Sequence, residues 1–133
     1  MAPKTSGKET ILLCDDEPAV IRFVHTLLTG HGYQVLEASN GKQAMEVAEK
    51  HKGPIHLLLS DVMMPELDGP GLAEQLRVVR PDVRVIFMSG YGDESVVSYD
   101  GCPFVQKPFF SSDLIKTVVD TLAQPPKPLR GCL

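Results

Sequence analysis

Nothing in this sequence is apolar for long enough to cross a bilayer, and its opening, MAPKTSGKE, holds no run of signal-peptide length. A soluble, cytoplasmic protein is the expectation. Cysteine is scarce: Cys14, Cys102 and Cys132 are odd in number and show no CxxC spacing. That excludes a disulfide framework and a zinc site, and suits a reducing compartment. Cationic residues are not in excess either. The formal net charge is -4, and the lysines and arginines are scattered, so no basic stripe offers a surface to nucleic acid. His25, His31, His51 and His56 have no metal-ligand spacing, and there are no internal repeats.

What remains is ordinary globular material. A chain of 133 residues, 43% hydrophobic and 23% charged, is long enough for one domain with a real core. Residues 1–9 read as a flexible arm and 124–133 as a Pro-rich, extended tail, leaving 10–123 as the domain. Short apolar strands are expected at Thr10–Cys14, Tyr33–Ala38, Ile55–Ser60, Val83–Ser89 and Pro103–Gln106. Between them lie helical spacings. The first helix follows Pro18, with Val20, Phe23, Val24, Leu27 and Leu28 inward. The second follows Asn40 as cap, with Ala44, Val47 and Ala48 inward. The third runs from about Pro70, with Leu72, Leu76 and Val79 inward. A turn or two is expected around Glu94–Tyr99, and a last helix over Ser112–Leu122. Strands alternating with helices through short loops make an α/β fold, a doubly wound parallel sheet with helices on both faces. In such sheets ligands sit at the carboxyl ends of the strands.

Those ends carry unusual residues. The stretch LLLSDVMMPELDG places Asp61 at the tip of the most apolar strand. The first strand ends in Asp15 and Asp16, the fourth in Ser89, and the fifth leads into Lys107-Pro108. Three neighbouring carboxylates repel one another unless a cation joins them. A hard divalent ion with oxygen ligands answers this, and Mg2+ suits it best because it pairs a few carboxylates with phosphate oxygens. A nucleophilic carboxylate, a phosphate-bridging metal, a hydroxyl and a fixed ammonium are the parts of phosphoryl transfer onto an aspartate.

LLCDDEP, LLLSDVMMPELDG, VIFMSGY and FVQKPF, in that order and each at a strand end, make the chain resemble the receiver domain of two-component response regulators. The resemblance covers roughly residues 10–123, and FMSGY with FVQKPF is closest in style to receivers of hybrid sensor histidine kinases. It implies a flavodoxin-like strand order 2-1-3-4-5. It implies that Asp61 accepts a phosphoryl group from a phosphohistidine of a sensor histidine kinase or histidine phosphotransfer domain. Asp16 would ligate Mg2+ directly, Asp15 mainly through water, and the Met63 carbonyl and Asp61 would complete the protein's share. Ser89 and Lys107 would hold the phosphoryl oxygens, Lys107-Pro108 would be cis, and Ser89 with Phe104 would form the switch toward a downstream protein. No enzyme acting on a separate substrate is implied, only self-catalysed phosphotransfer and dephosphorylation. A homodimer is among the assemblies such domains form.

Each residue also has a plainer reading. Asp16 serves equally as a helix cap before Pro18, Asp61 as a turn residue, Lys107 as a solvated lysine and Ser89 as loop composition. Asp68-Gly69 reads as turn chemistry alone, and Cys14 as a small buried apolar residue. The segment between Ser89 and Lys107 is short for the family, so the fourth helix should be reduced. Phe104 lacks the hydroxyl that a Tyr would carry there. Three other functions compete. A flavin-binding electron carrier shares the layout, but DDEP repels a flavin phosphate. An aspartate phosphatase wants Asp-x-Asp, which Asp15-Asp16-Glu17 does not supply. A phosphorylation-independent receiver-fold binding module is the third.

Overall fold

Uninterrupted apolar strands need cover on both faces, and the observed sheet supplies it. The structure, a computed structural model, describes residues 9–90 and 103–126. Its strands are β1 (Thr10–Cys14), β2 (Gln34–Ala38), β3 (Leu57–Asp61), β4 (Arg84–Ser89) and β5 (Phe104–Gln106). All neighbours pair in parallel in the order β2-β1-β3-β4-β5. The helices are α1 (Pro18–Gly30), α2 (Gly41–Lys50), α3 (Gly69–Val79) and α4 (Ser111–Leu122). The turn or two expected around 94–99 lies outside the described residues, so α4 here is the helix after β5.

The two-residue period of the strands divides the core into two layers. Leu12, Cys14, Leu58, Val85 and Phe87 point to one side, where Ala44 and Ala48 of α2 and Leu72, Ala73 and Leu76 of α3 cover them. Ile11, Leu13, Leu57, Leu59, Ile86 and Met88 point to the other, under Ile21, Val24 and Leu28 of α1 and Leu114, Val118 and Leu122 of α4. Truncating one of these fully buried leucines to Ala costs about 2–5 kcal/mol. The central strands β1 and β3 are buried at every position, whereas the edge strand β2 exposes Gln34 and Glu37.

Helix phase departs from the sequence reading at two positions. The buried stripe of α1 is Ile21, Val24 and Leu28, and Phe23 is 46% exposed, its ring 6.1 Å from that of Phe109. The stripe of α3 ends at Leu76, and Val79 is exposed. Arg80 fills the joint there. Its guanidinium donates to the carbonyls of Gly53 (2.8 Å), Ala48 (3.0 Å) and His51 (2.9 Å), closing the carboxyl end of α2.

Candidate functional site

Every parallel strand delivers its last residue to the same sheet edge, which brings together groups far apart in sequence. Asp15 follows β1 directly and is fully buried, its amide donating to Ala38 O at 3.2 Å. Asp15 Oδ1 accepts from the Glu17 amide at 2.9 Å, folding the chain into α1 with Pro18 in its first turn. Glu17 occupies the N-cap position of α1, so the capping reading of Asp16 fails. Asp16 is exposed at the mouth of the edge.

Asp61 is the last residue of β3 and only 7% exposed. Three hydrogen bonds hold it and the following residue Val62. Ser60 Oγ donates to the Asp61 carbonyl at 2.9 Å, the Val62 amide donates to Met88 O at 2.9 Å, and the Gly69 amide donates to Val62 O at 2.9 Å. Gly69 starts α3 directly against this turn. A Cβ there would collide with the Asp61 carbonyl oxygen and lie 3.1 Å from Val62 Cα. Asp68 caps the same helix, accepting from the Gly71 amide at 2.8 Å. Asp68-Gly69 is therefore a helix cap and a required close approach, which corrects its reading as turn chemistry alone. The Met63 amide lies 3.4 Å from Asp61 Oδ1, and the Met63 side chain is 61% exposed.

Lys107 arrives from the far strand. Its amide donates to Ser89 O at 2.7 Å, and the Lys107-Pro108 bond is cis, as expected. Its ammonium donates to Asp15 Oδ2 at 2.7 Å and Asp61 Oδ2 at 3.3 Å, with Glu17 Oε1 at 3.5 Å. Ser89 ends β4, fully buried, its hydroxyl 3.4 Å from Gly90 O. Phe104 opposes Phe87 across the β4–β5 pairing and packs, partly buried, on the layer under α2 and α3.

Asp15, Asp16 and Asp61 each offer one oxygen within 4.8 Å of the others. One ammonium does not balance three carboxylates. Burial, then the neighbouring Asp15, pushes the Asp61 carboxyl above its ordinary value, although Lys107 pulls it down. Burial works against the charged form of Lys107, yet hydrogen bonding and charge attraction from Asp15, with the charge of Asp61, hold its ammonium above the ordinary lysine range. Beneath them the Cys14 thiol is pushed up to about 12 by burial and then by Asp15. That makes it the inert apolar group expected. An oxygen-only donor set with excess negative charge fits a hard divalent cation.

A family model for the response regulator receiver domain matches residues 11–119. The chain belongs to that family. It is 38% identical over 125 residues to the sensor kinase CckA of Brucella abortus (strain 2308), a match covering 91% of this chain and 13% of the kinase. With the response regulator receiver protein CpdR of the same strain it shares 32% identity over 112 residues, covering 81% of this chain and 92% of CpdR. The solved receiver domain of the hybrid histidine kinase CckA superposes with a TM-score of 0.73 at 36% identity, covering 85% of this chain and 98% of that one. Receivers of two-component systems are phosphoacceptors that bind Mg2+ at an acidic pocket and work between kinases and downstream effectors. The electron-carrier, phosphatase and plain binding-module readings are not favoured.

In this receiver the geometry brings together Asp15, Asp16, Asp61 and Lys107, sets Ser89 beside Lys107 through the backbone, and places Phe104 opposite Phe87 on the neighbouring strand. Glu17 was given no role of its own from the sequence, and Gly69 only that of a turn residue. Adjacency to Asp15-Asp16 was the available signal for Glu17. For Gly69 it was the short distance from a strand-end aspartate to a helix start.

Proposed function

We propose that Asp61 is the phosphoacceptor of this receiver, taking a phosphoryl group from a phosphohistidine of a sensor histidine kinase or histidine phosphotransfer domain. The reading rests chiefly on the Lys107 ammonium standing 2.7 Å from Asp15 and 3.3 Å from Asp61. It thereby fixes one carboxylate as a nucleophile beside a cation able to receive phosphoryl oxygens. Asp61 sits on a pinned turn and presents Oδ2 to Lys107 while Oδ1 faces the Met63 amide. In the transfer, an Asp61 oxygen forms the new P–O bond as the P–N bond to the imidazole breaks, its electron pair leaving on the ring nitrogen. Lys107 and the Ser89 hydroxyl then hold the phosphoryl oxygens.

Asp16, Asp61 and the Met63 carbonyl would hold Mg2+, with Asp15, whose oxygens each accept one hydrogen bond from Glu17 N or Lys107 Nζ, acting mainly through water. When bound, the ion neutralises charge on the phosphoryl group and the carboxylates. Ser89 and Phe104 form the switch: a hydroxyl drawn to the phosphoryl group frees space into which the aromatic ring settles. The domain spans 10–123. It serves as a cytoplasmic module, in the manner of a hybrid-kinase receiver, with a downstream protein or a second copy as partner and no separate substrate. Among the described residues no helix is long and apolar enough to cross a membrane.

Intact-mass spectrometry after incubation with acetyl phosphate tests this reading. One phosphoryl adduct is expected, dependent on Mg2+ and lost in Asp61→Asn. An adduct that persists in Asp61→Asn, or none on folded wild type, refutes the assignment.

A further inference from the structure

Lys107 faces three carboxylates, and the third has no part in the chemistry above. Asp15 anchors the ammonium at 2.7 Å from full burial. Glu17, at 3.5 Å with a side chain 64% exposed, adds little anchorage. It stands instead on the solvent side of the ammonium, next to the exposed Asp16. It also lines a largely apolar groove of about 470 Å³ formed with Ala19, Val20, Phe23, Pro108 and Phe109. A phosphoryl donor approaching Lys107 from solvent meets the Glu17 charge.

We propose that Glu17 is a specificity-determining residue, a fixed negative charge at the mouth that disfavours small, highly anionic phosphodonors. The inference rests on the reading of Asp61 as phosphoacceptor. Acetyl phosphate is a dianion at neutral pH. In its reaction the P–O bond to the acyl oxygen breaks, the electron pair leaves on acetate, and an Asp61 oxygen forms the new bond to phosphorus. Phosphoramidate carries one net negative charge as its N-protonated form. Its P–N bond breaks, the electron pair leaves on nitrogen as neutral ammonia with no further proton needed, and an Asp61 oxygen forms the new bond to phosphorus. A single charge at the mouth penalises each donor in proportion to the donor's own charge, so the two donors report on it unequally. At roughly 7 Å in a water-like dielectric, removing the charge should speed the dianion about fivefold and the monoanion about twofold.

The experiment measures initial phosphorylation rates of wild type, Glu17→Gln and Glu17→Asp with both donors at saturating Mg2+, with Asp61→Asn as blank. Glu17→Gln is expected to raise the acetyl phosphate rate about fivefold and the ratio of acetyl phosphate to phosphoramidate rates about two- to threefold. Both gains should shrink below about twofold near 1 M salt. Glu17→Asp, which keeps the charge, should keep the wild-type ratio. A purely structural role at the start of α1 would slow both donors alike and leave the ratio unchanged, and that result overturns the proposal while wild type still labels. Absence of any adduct on wild type with either donor refutes the Asp61 assignment itself, and the proposal with it.

Discussion

Replacing Gly69 with alanine should loosen the phosphoacceptor turn without touching a charged group. The added Cβ meets the Asp61 carbonyl oxygen and, at 3.1 Å, Val62 Cα. Both are backbone atoms, pinned by the bonds from Val62 N to Met88 O and from Gly69 N to Val62 O, each 2.9 Å. No rotamer change can relieve the contact, so α3 must retreat from the sheet edge. Overpacking of a tight site costs about 1–3 kcal/mol, and a backbone-on-backbone collision belongs at the upper end. Restoring a Cβ to a glycine in the first turn of a helix returns less than about 1 kcal/mol. A net loss of about 2 kcal/mol follows, a fall in melting temperature of roughly 6–10 °C for a domain of this size. Gly71→Ala is the control. Its Cβ meets the far end of the Leu67 side chain at 2.9 Å and Asp68 Oδ1 at 3.1 Å, groups that can shift, so its stability should stay within about 1 kcal/mol of wild type. Urea denaturation of the three proteins decides. Gly69→Ala as stable as Gly71→Ala would refute the claim that the close approach behind Asp61 demands glycine.

Lys107→Met should destabilise the metal-free protein by about 3 kcal/mol, since it strands the fully buried Asp15 without its ion pair. Urea melts with and without Mg2+ read this, and the deficit should narrow when the cation is added. Because the Asp61 carboxyl is raised above its unfolded value of 3.8, its protonated form favours the fold, and that contribution fades as pH rises through the raised value. Asp61→Asn should therefore gain stability over wild type as pH climbs toward neutrality without divalent ions, because the cost of burying the charged carboxylate, with the nearby Asp15, outweighs the attraction to Lys107. A pH-independent difference between the two would contradict this. With its thiol pushed up to about 12 beneath the site, Cys14 should resist iodoacetamide at pH 8 in a Cys102→Ser/Cys132→Ser background until the protein is unfolded. Prompt labelling of the native protein would overturn the burial argument.

The sequence by itself determined the sheet and most of the site. Apolar runs ending in Asp15-Asp16, Asp61, Ser89 and Lys107-Pro108 fix the strand tips, because a parallel sheet delivers every strand end to one edge. Local signals were enough where one residue settles local geometry. Asn40 caps α2 by accepting from the Gln43 amide at 2.7 Å, and Pro18 opens α1. Tertiary structure decided what depends on neighbours from elsewhere in the chain. Helical spacing could not say that Ile21 would turn inward and Phe23 outward, since either lies within one turn of Val24 and only the position of the sheet chooses between them. Nor could it distinguish Val79 from Arg80 at the end of α2, where unpaired carbonyls select the guanidinium. Glu17 stood out only as part of DDEP, and Gly69 as turn. Their significance lies in an ammonium 90 residues downstream (107 − 17) and in a strand-end carbonyl pressed against a helix start. Sequence pattern records periodicity and local propensity, whereas close contacts between distant segments exist only once the sheet has brought them together.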